Sequence, residues 1–136
     1  MRVVVAPFHR FSTLFVSNVY LLDGGPGDRW LVDSGHWSER LQLVRELRAT
    51  GLQPSEINGV LLTHRHSDHA GNAAFLQREY GLKVLCHRAD AAVLDGSSPR
   101  PVMGARGSAL ERALCALENR FPARLYVDRA LDDGDT

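Results

Sequence analysis

Three histidines and one aspartate lie within six consecutive residues, in the stretch VLLTHRHSDHAGN at residues 60–72. The chain has only six histidines among 136 residues, so half of its imidazole groups lie in this segment. His64 and His66 are two positions apart, so in an extended segment both side chains point to the same side and can bind one metal ion. Asp68 and His69 follow where the chain turns and can bind a second ion nearby. Imidazole and carboxylate without a thiolate favour zinc, with iron or manganese as alternatives.

The elements around this segment must position these side chains. GVLLT is a short apolar run that predicts a strand buried on both faces, and NAAFLQREYG, beginning near Asn72, predicts a helix. The histidines therefore lie on the loop at the C-terminal end of a strand, where open α/β sheets place their ligand sites. Gly71 would let the backbone turn tightly there and leave room for metal ions.

Strand and helix patterns alternate along the rest of the chain. Before the histidines, RVVVAP, SNVYLLDGG and RWLVDSG predict strands, and the loop DGGPGD predicts a hairpin between the last two. SERLQLVRELRAT predicts a helix from Ser38 to Thr50, capped by Ser38 and ended by Gly51, with Leu41, Val44 and Leu47 on its apolar face. KVLCH and RLYVD predict later strands, and RADAAVL and SALERALCALENRF predict later helices. This order predicts a mixed α/β fold that begins as a β-meander.

Composition limits the classes of protein to which the chain can belong. Its 136 residues are enough for one domain with a core. Sixteen basic residues balance sixteen acidic ones, so no field favours nucleic acid or an anionic membrane. The first apolar run breaks at Pro7 and His9, too early for a signal peptide or a membrane span, so a cytoplasmic location is expected by default. Cys86 and Cys115 match no zinc or redox spacing, and Cys86 is predicted to be a buried, reduced thiol.

The stretch THRHSDHAG resembles the H-x-H-x-D-H signature of the metallo-β-lactamase superfamily, with Arg65 and Ser67 in the variable positions. WLVDSG resembles the D-x-G turn of that family, SEINGVLLTH the segment before the signature, and DDGDT the D-G-D turn after it. The likeness covers the whole chain. It implies the N-terminal portion of an αββα sandwich, with two sheets between helices, in a single incomplete domain of residues 1–136.

The resemblance implies a hydrolase with two zinc ions, in which a bridging hydroxide attacks the ester, thioester, lactone or amide carbonyl of a small-molecule substrate. Carried over residue by residue, His64 and His66 would bind the first ion. Asp68 and His69 would bind the second, and Asp68 also counts as a catalytic residue. Asp33 would lie beneath the metals and orient a ligand without binding an ion itself.

The sequence departs from the family pattern after the D-G-D turn, where family members supply further histidines and a bridging aspartate. Here no histidine follows His87. Two protein ligands would remain for each ion, whereas a catalytic zinc normally has three and a water. We therefore expect this chain to be inactive alone, to need a C-terminal half or another chain, and to self-associate through an uncovered apolar sheet.

Two other functions stay open at this point. An iron-dependent sulfur dioxygenase shares the fold and these residues, and a non-catalytic remnant would bind a partner through its uncovered sheet. Nucleic-acid processing is disfavoured by the neutral charge. Of the other histidines, His9 and His36 are interpreted as partly exposed and His87 as a helix cap or surface residue, with a pocket-lining role as the alternative.

Overall fold

The computed structural model describes residues 2–6, 17–99, 108–118 and 124–135, and it contains one six-stranded sheet with helices. The strands are β1 (Arg2–Ala6), β2 (Val19–Asp23), β3 (Arg29–Val32), β4 (Gly59–Leu62), β5 (Lys83–His87) and β6 (Arg129–Leu131). The helices are α1 (Arg40–Ala49), α2 (Ser67–Ala70), α3 (Ala73–Tyr80), α4 (Arg88–Leu94) and α5 (Ala109–Glu118), with 3₁₀ turns at Trp37–Glu39 and Pro54–Glu56. The predicted mixed α/β class is confirmed.

The six strands lie in the sheet in the order in which they occur in the sequence. β1, β2 and β3 pair antiparallel, as the predicted meander requires. β3, β4, β5 and β6 pair parallel, and the helices lie in the connections between these strands because parallel neighbours need a crossover. The C-terminal ends of the parallel strands therefore meet at one edge of the sheet. The segment that carries His64, His66 and His69, called the histidine loop, leaves β4 at this edge.

One face of the sheet forms the core with the helices. Leu21, Leu31, Val60 and Val84 are register partners across four neighbouring strands, and none of them is more than 3% exposed. The helices add leucine and alanine side chains to the same cluster, among them Leu43, Leu47, Ala73, Leu76 and Leu94. Since burying a Val or Leu side chain contributes about 1.5–3 kcal/mol, this layer holds the sheet in place under the loops that follow its strands.

The opposite face of the sheet is apolar as well, but its side chains are partly exposed. They are Tyr20, Leu22, Trp30, Val32, Leu61 and Leu85, called the open face below. The prediction that GVLLT is buried on both faces is therefore wrong for the described residues, because Leu61 lies on this open face. Gly59 belongs to the same face, and a Cβ there would come within 2.5 Å of the Trp30 ring, so only glycine lets the indole lie across β4.

Helix α1 buries a different face from the predicted one. Leu41 is 86% exposed, whereas Leu43 and Leu47, one helical turn apart, are buried. A 3₁₀ turn capped by His36 precedes the helix, so Ser38 is not its N-cap. Leu43 and Leu47, four residues apart, lie on one side of α1 and pack into the core. No helix in the described ranges is long and apolar enough to cross a membrane.

The predicted last strand, RLYVD, is also wrong. RLYVD covers residues 124–128, none of which is in a strand, and β6 begins directly after it at Arg129. The Gln77 side chain binds this segment from α3: its Nε2 donates to the Tyr126 carbonyl oxygen at 2.7 Å, and the Tyr126 N–H donates to its Oε1 at 2.9 Å. A side-chain amide thus replaces the strand partner that these backbone groups would otherwise need.

The Cys86 thiol generates a first prediction. Cys86 is fully buried, and burial, followed by the charges of Asp90 and Asp95, raises the pKa of its thiol to about 11. At pH 8 only about a thousandth of such a thiol is the reactive thiolate. We predict that Cys86 in a Cys115→Ser variant resists iodoacetamide in native buffer and is alkylated rapidly in urea, as mass spectrometry would show. Rapid labelling without urea would contradict the buried position.

The open face generates a second prediction. Contiguous apolar surface on a soluble protein favours association, so the 136-residue chain should self-associate as its concentration rises. Light scattering after size exclusion would measure this. Leu85→Lys on the open face should reduce association, whereas Leu41→Lys, on the exposed side of α1, is the matched control and should not. A chain that stays monomeric at every concentration would refute the prediction.

Candidate metal centre

The histidine loop runs from the end of β4 into α2 and brings its ligand-type side chains together at the sheet edge. The ligand atoms of His64, Asp68 and His69 all lie within 4.8 Å of one another, which lets three side chains reach one ion. The ring centroids of His64 and His69 are 4.1 Å apart, and those of His64 and His66 are 4.7 Å apart. His66 thus lies beside His64 but outside the group of three. The division of the four residues between two ions stays a prediction.

Asp33 lies directly beneath this group and is 3% exposed. Its Oδ2 is 2.7 Å from Nδ1 of His69, and its Oδ1 accepts a hydrogen bond of 2.8 Å from the Thr63 backbone N–H. The Thr63 hydroxyl lies 2.8 Å from Oδ2. A carboxylate bound to the far nitrogen of a histidine ring leaves the other nitrogen available to a metal, and this is the usual arrangement around protein zinc.

The backbone conformation of Asp33 aims its carboxylate at the histidine loop. Its φ of 62° lies in the left-handed region, where it is the only described residue other than glycine. Aspartate and asparagine tolerate this region better than most side chains. The N–H of Asp33 donates to the Leu61 carbonyl oxygen at 2.9 Å, which ties the turn to β4. The predicted D-x-G turn is therefore a sharp corner at the end of β3.

The pKa of His64 is lowered from its ordinary value of 6.5. Burial is the largest cause, and the positive charges of His69 and His66 add to it, while the carboxylates of Asp33 and Asp68 oppose it. His64 is therefore neutral at pH 7, and neutral imidazole is the form that binds a metal ion. Partly buried, neutral imidazole beside a carboxylate is a donor set that fits zinc.

A small polar network ties the two loops of the site together. The Ser34 N–H and hydroxyl both donate to the His69 carbonyl oxygen, at 2.7 and 2.8 Å. The fully buried Asn72 donates from Nδ2 to the carbonyl oxygens of Ser34 and His36, at 2.8 and 2.9 Å. A Cβ on Gly71 would come within 2.7 Å of the Gly35 carbonyl oxygen. Gly71 is thus required by this close approach of the loops.

An ion pair holds the other side of the histidine loop. The Arg65 guanidinium donates to Asp90 Oδ1 at 3.1 Å, and the Arg65 backbone N–H donates to Asp90 Oδ2 at 3.2 Å. Asp90 lies on α4, and its side chain is 16% exposed. Arg65, which lies between His64 and His66, is therefore fixed to α4, the helix that follows β5.

The remaining histidines play structural parts where they are described. His36 is 5% exposed, so the prediction that it is partly exposed is wrong; its Nδ1 lies 2.7 Å from Ser38 Oγ and caps the 3₁₀ turn. His87 caps α4 by accepting a hydrogen bond from the Ala89 N–H at 3.1 Å, which confirms the capping interpretation. His9 lies outside the described residues.

Sequence reasoning did not identify several residues that hold the site, namely Thr63, Ser34, Asn72 and Asp90. Thr63 and Ser34 each lie next to a predicted site residue and carry a hydroxyl group. This position beside the site was the only indication of their role in the sequence. Asn72 was noted only as the start of a helix. Asp90 is 25 residues from its partner Arg65, and nothing in the local sequence indicates that contact.

The family model of the metallo-beta-lactamase superfamily matches residues 12–136. The chain belongs to this superfamily. A hydroxyacylglutathione hydrolase of Anaeromyxobacter dehalogenans (strain 2CP-C) is 42% identical over 73 residues, which are 54% of this chain and 26% of that protein. The anti-Pycsar protein Apyc1 of Bacillus phage 010DV004 is 36% identical over 61 residues, which are 45% of this chain and 22% of that protein.

Solved metallo-beta-lactamases share the fold. The subclass B3 enzyme BJP-1 of Bradyrhizobium japonicum superposes with a TM-score of 0.67 at 25% identity, over 87% of this chain and 40% of that enzyme. The class B3 di-zinc enzyme LRA-12 from an Alaskan soil metagenome gives a TM-score of 0.67 at 27% identity, over 87% of this chain and 40% of that enzyme. The chain spans less than half the length of each of these relatives. The superfamily inferred from the signature is confirmed.

The contacts of Asp33 generate a third prediction. Asparagine fits the left-handed backbone of this position but removes the charge and one acceptor oxygen. We predict that Asp33→Asn, in a protein completed by a C-terminal half, weakens zinc binding by about 10- to 100-fold, as changes to residues that orient ligands do. Competition with a zinc chelator measures this. Asp28→Asn, at an exposed hairpin position, is the matched control. Equal zinc affinity in both variants would reduce Asp33 to a turn residue.

Proposed function

We propose that this chain carries part of the active site of a metal-dependent hydrolase that holds two zinc ions. The observation that supports this most directly is the gathering of the ligand atoms of His64, Asp68 and His69 within 4.8 Å at the sheet edge, above the Asp33 carboxylate. Membership of a superfamily that includes hydroxyacylglutathione hydrolase and B3 metallo-beta-lactamases supports the same reaction class.

In this proposal His64 and His66 hold one ion, and Asp68 and His69 hold the other. Zinc, when bound, lowers the pKa of water and polarises a carbonyl oxygen. The Asp68 carboxylate is the proposed proton acceptor for the attacking water, since its side chain is 26% exposed and its Oδ2 is 3.4 Å from His69 Nε2. Asp33 keeps the His69 ring in one orientation throughout the reaction.

The four proposed ligands are fewer than two catalytic zinc ions need. A catalytic zinc usually has three protein ligands and a water, and four residues shared between two ions give each ion two. We propose that the remaining ligands come from a C-terminal half or from another chain, and that residues 1–136 form a single incomplete domain. The open face of the sheet is the surface that such a half would cover.

Thioesters are the first substrate class to test. A hydroxyacylglutathione is a thioester, and the relative named for its hydrolysis is 42% identical over its matched segment, compared with 25% and 27% for the two lactamases. Esters, lactones and amides present a carbonyl to the same attack and follow as further candidates.

The fourth prediction tests this function. We expect the 136-residue chain to bind zinc weakly and to hydrolyse no thioester at a measurable rate, because its ligand set is short. Adding a C-terminal half that carries two histidines and an aspartate at family positions should restore zinc content and thioester or lactone hydrolysis. Elemental analysis and a hydrolysis assay measure both.

Matched variants make this test specific. His64→Ala in the completed protein should lose zinc and activity, whereas His87→Asn, which keeps a side-chain cap for α4, should lose neither. One iron ion in place of zinc would favour a dioxygenase. A monomer of this chain that holds two zinc ions and turns substrate over unaided would overturn the proposed ligand set.

A further inference from the structure

We propose that Thr63 is a positioning residue that fixes the ring tautomer of His64. Through it, the single Asp33 carboxylate orients two ligand histidines, His69 directly and His64 by way of the Thr63 hydroxyl. The role in metal binding rests on the proposed function, whereas the tautomer is a property of the metal-free protein. Sequence reasoning gave Thr63 no role beyond the end of a strand.

The proton of the Thr63 hydroxyl has one place to go. Its Oγ1 lies 2.8 Å from Oδ2 and 3.0 Å from Oδ1 of Asp33, and a carboxylate accepts hydrogen bonds but does not donate them. The hydroxyl therefore donates to Asp33. A hydroxyl has one proton, so toward any other neighbour Oγ1 is an acceptor only.

That other neighbour is His64, whose Nδ1 lies 3.0 Å from Thr63 Oγ1. Since Oγ1 can only accept here, Nδ1 must carry the hydrogen. In a neutral ring the lone pair is then on Nε2, and this nitrogen becomes the one that can bind an ion. The direction of two hydrogen bonds thus determines which His64 nitrogen is the metal ligand.

His69 is constrained in the same way. His69 Nδ1 is 2.7 Å from Asp33 Oδ2, so this nitrogen also carries its hydrogen toward the carboxylate. His69 Nε2 lies on the far side of the ring, 3.4 Å from Asp68 Oδ2. Nε2 is therefore the nitrogen available to an ion in both rings. The partner of Nδ1 is the Asp33 carboxylate in His69 and the Thr63 hydroxyl in His64.

The position of Thr63 is itself fixed by the backbone. Its N–H donates to Asp33 Oδ1 at 2.8 Å, so backbone and side chain of one residue bind the same carboxylate. Threonine is branched at Cβ and has restricted χ1 rotation, which keeps its hydroxyl between Asp33 and His64. Valine has the same branched shape without the hydroxyl, and serine has the hydroxyl without the methyl group.

These two substitutions form the test. Nitrogen-15 NMR of the imidazole rings in the metal-free protein, at a pH where the histidines are neutral, reports each tautomer. We expect His64 to be in the Nδ1–H form in the wild-type protein and in Thr63→Ser, and to lose this preference in Thr63→Val. His69 should keep the Nδ1–H form in all three, because its partner is Asp33.

Zinc affinity gives the second readout. Thr63→Val should weaken zinc binding by about 10- to 100-fold, and Thr63→Ser should restore most of it. A wild-type His64 in the Nε2–H form would overturn the inference without any mutant. So would a Thr63→Val protein that keeps both tautomer and zinc affinity while Asp33→Asn loses affinity; the proposed function would then stand. A protein with the expected tautomers that binds no zinc would instead overturn the proposed function alone.

Discussion

The buried Asp33 carboxylate is the group on whose contacts the rest of the candidate metal centre depends. It accepts hydrogen bonds from the backbone and hydroxyl of Thr63 and lies 2.7 Å from His69 Nδ1. Parallel pairing of β3 with β4 brings the loops that follow these strands to the same edge of the sheet. The left-handed backbone of Asp33 directs its carboxylate from the loop after β3 toward the loop after β4. Asp33 therefore ties the turn after β3 to the end of β4 and orients His69 at the same time.

Around this carboxylate, contacts of three kinds hold the histidine loop. Ser34 and Asn72 bind backbone carbonyl groups of the two loops, and the absence of a side chain at Gly71 allows the loops to touch. Arg65 and Asp90 hold the loop from the side of α4. A metal site needs ligands that are already in position. These contacts connect the histidine loop to the sheet and the helices, so its ligand-type side chains are held in place.

The fold and the site were predictable from the sequence to different extents. The strand GVLLT, the loop that follows it with His64 and His66, and the helix after Asn72 have local patterns, and the structure contains them; the short helix α2, which carries Asp68 and His69, was not predicted. The buried side of α1 was not predictable, because Leu41 and Leu43 each lie on an apolar side of the helix with Leu47, and packing against the sheet buries only Leu43 of the two. The exposure of Leu61 could not be read from GVLLT, since an apolar run does not show which face is covered.

Contacts between distant residues account for the other differences. RLYVD has the composition of a strand, but Gln77, 49 residues from Tyr126, takes the hydrogen bonds of that segment. Thr63 was visible beside His64, yet its role appears only when Asp33, 30 residues away, is in position. Local patterns thus predict elements, and tertiary contacts decide what each side chain in them does.

The separation of these partners along the chain has a consequence for the order of folding. Asp33 is 30 residues from Thr63 and 36 from His69, and a helical crossover lies between them. Contacts of such separation form after a long loop has closed, which makes them slow compared with local ones. Before that closure, the imidazole of His69 lacks the orientation that Asp33 gives it in the folded protein. The arrangement of His64, Asp68 and His69 that could hold a metal ion therefore forms only when the parallel sheet has assembled.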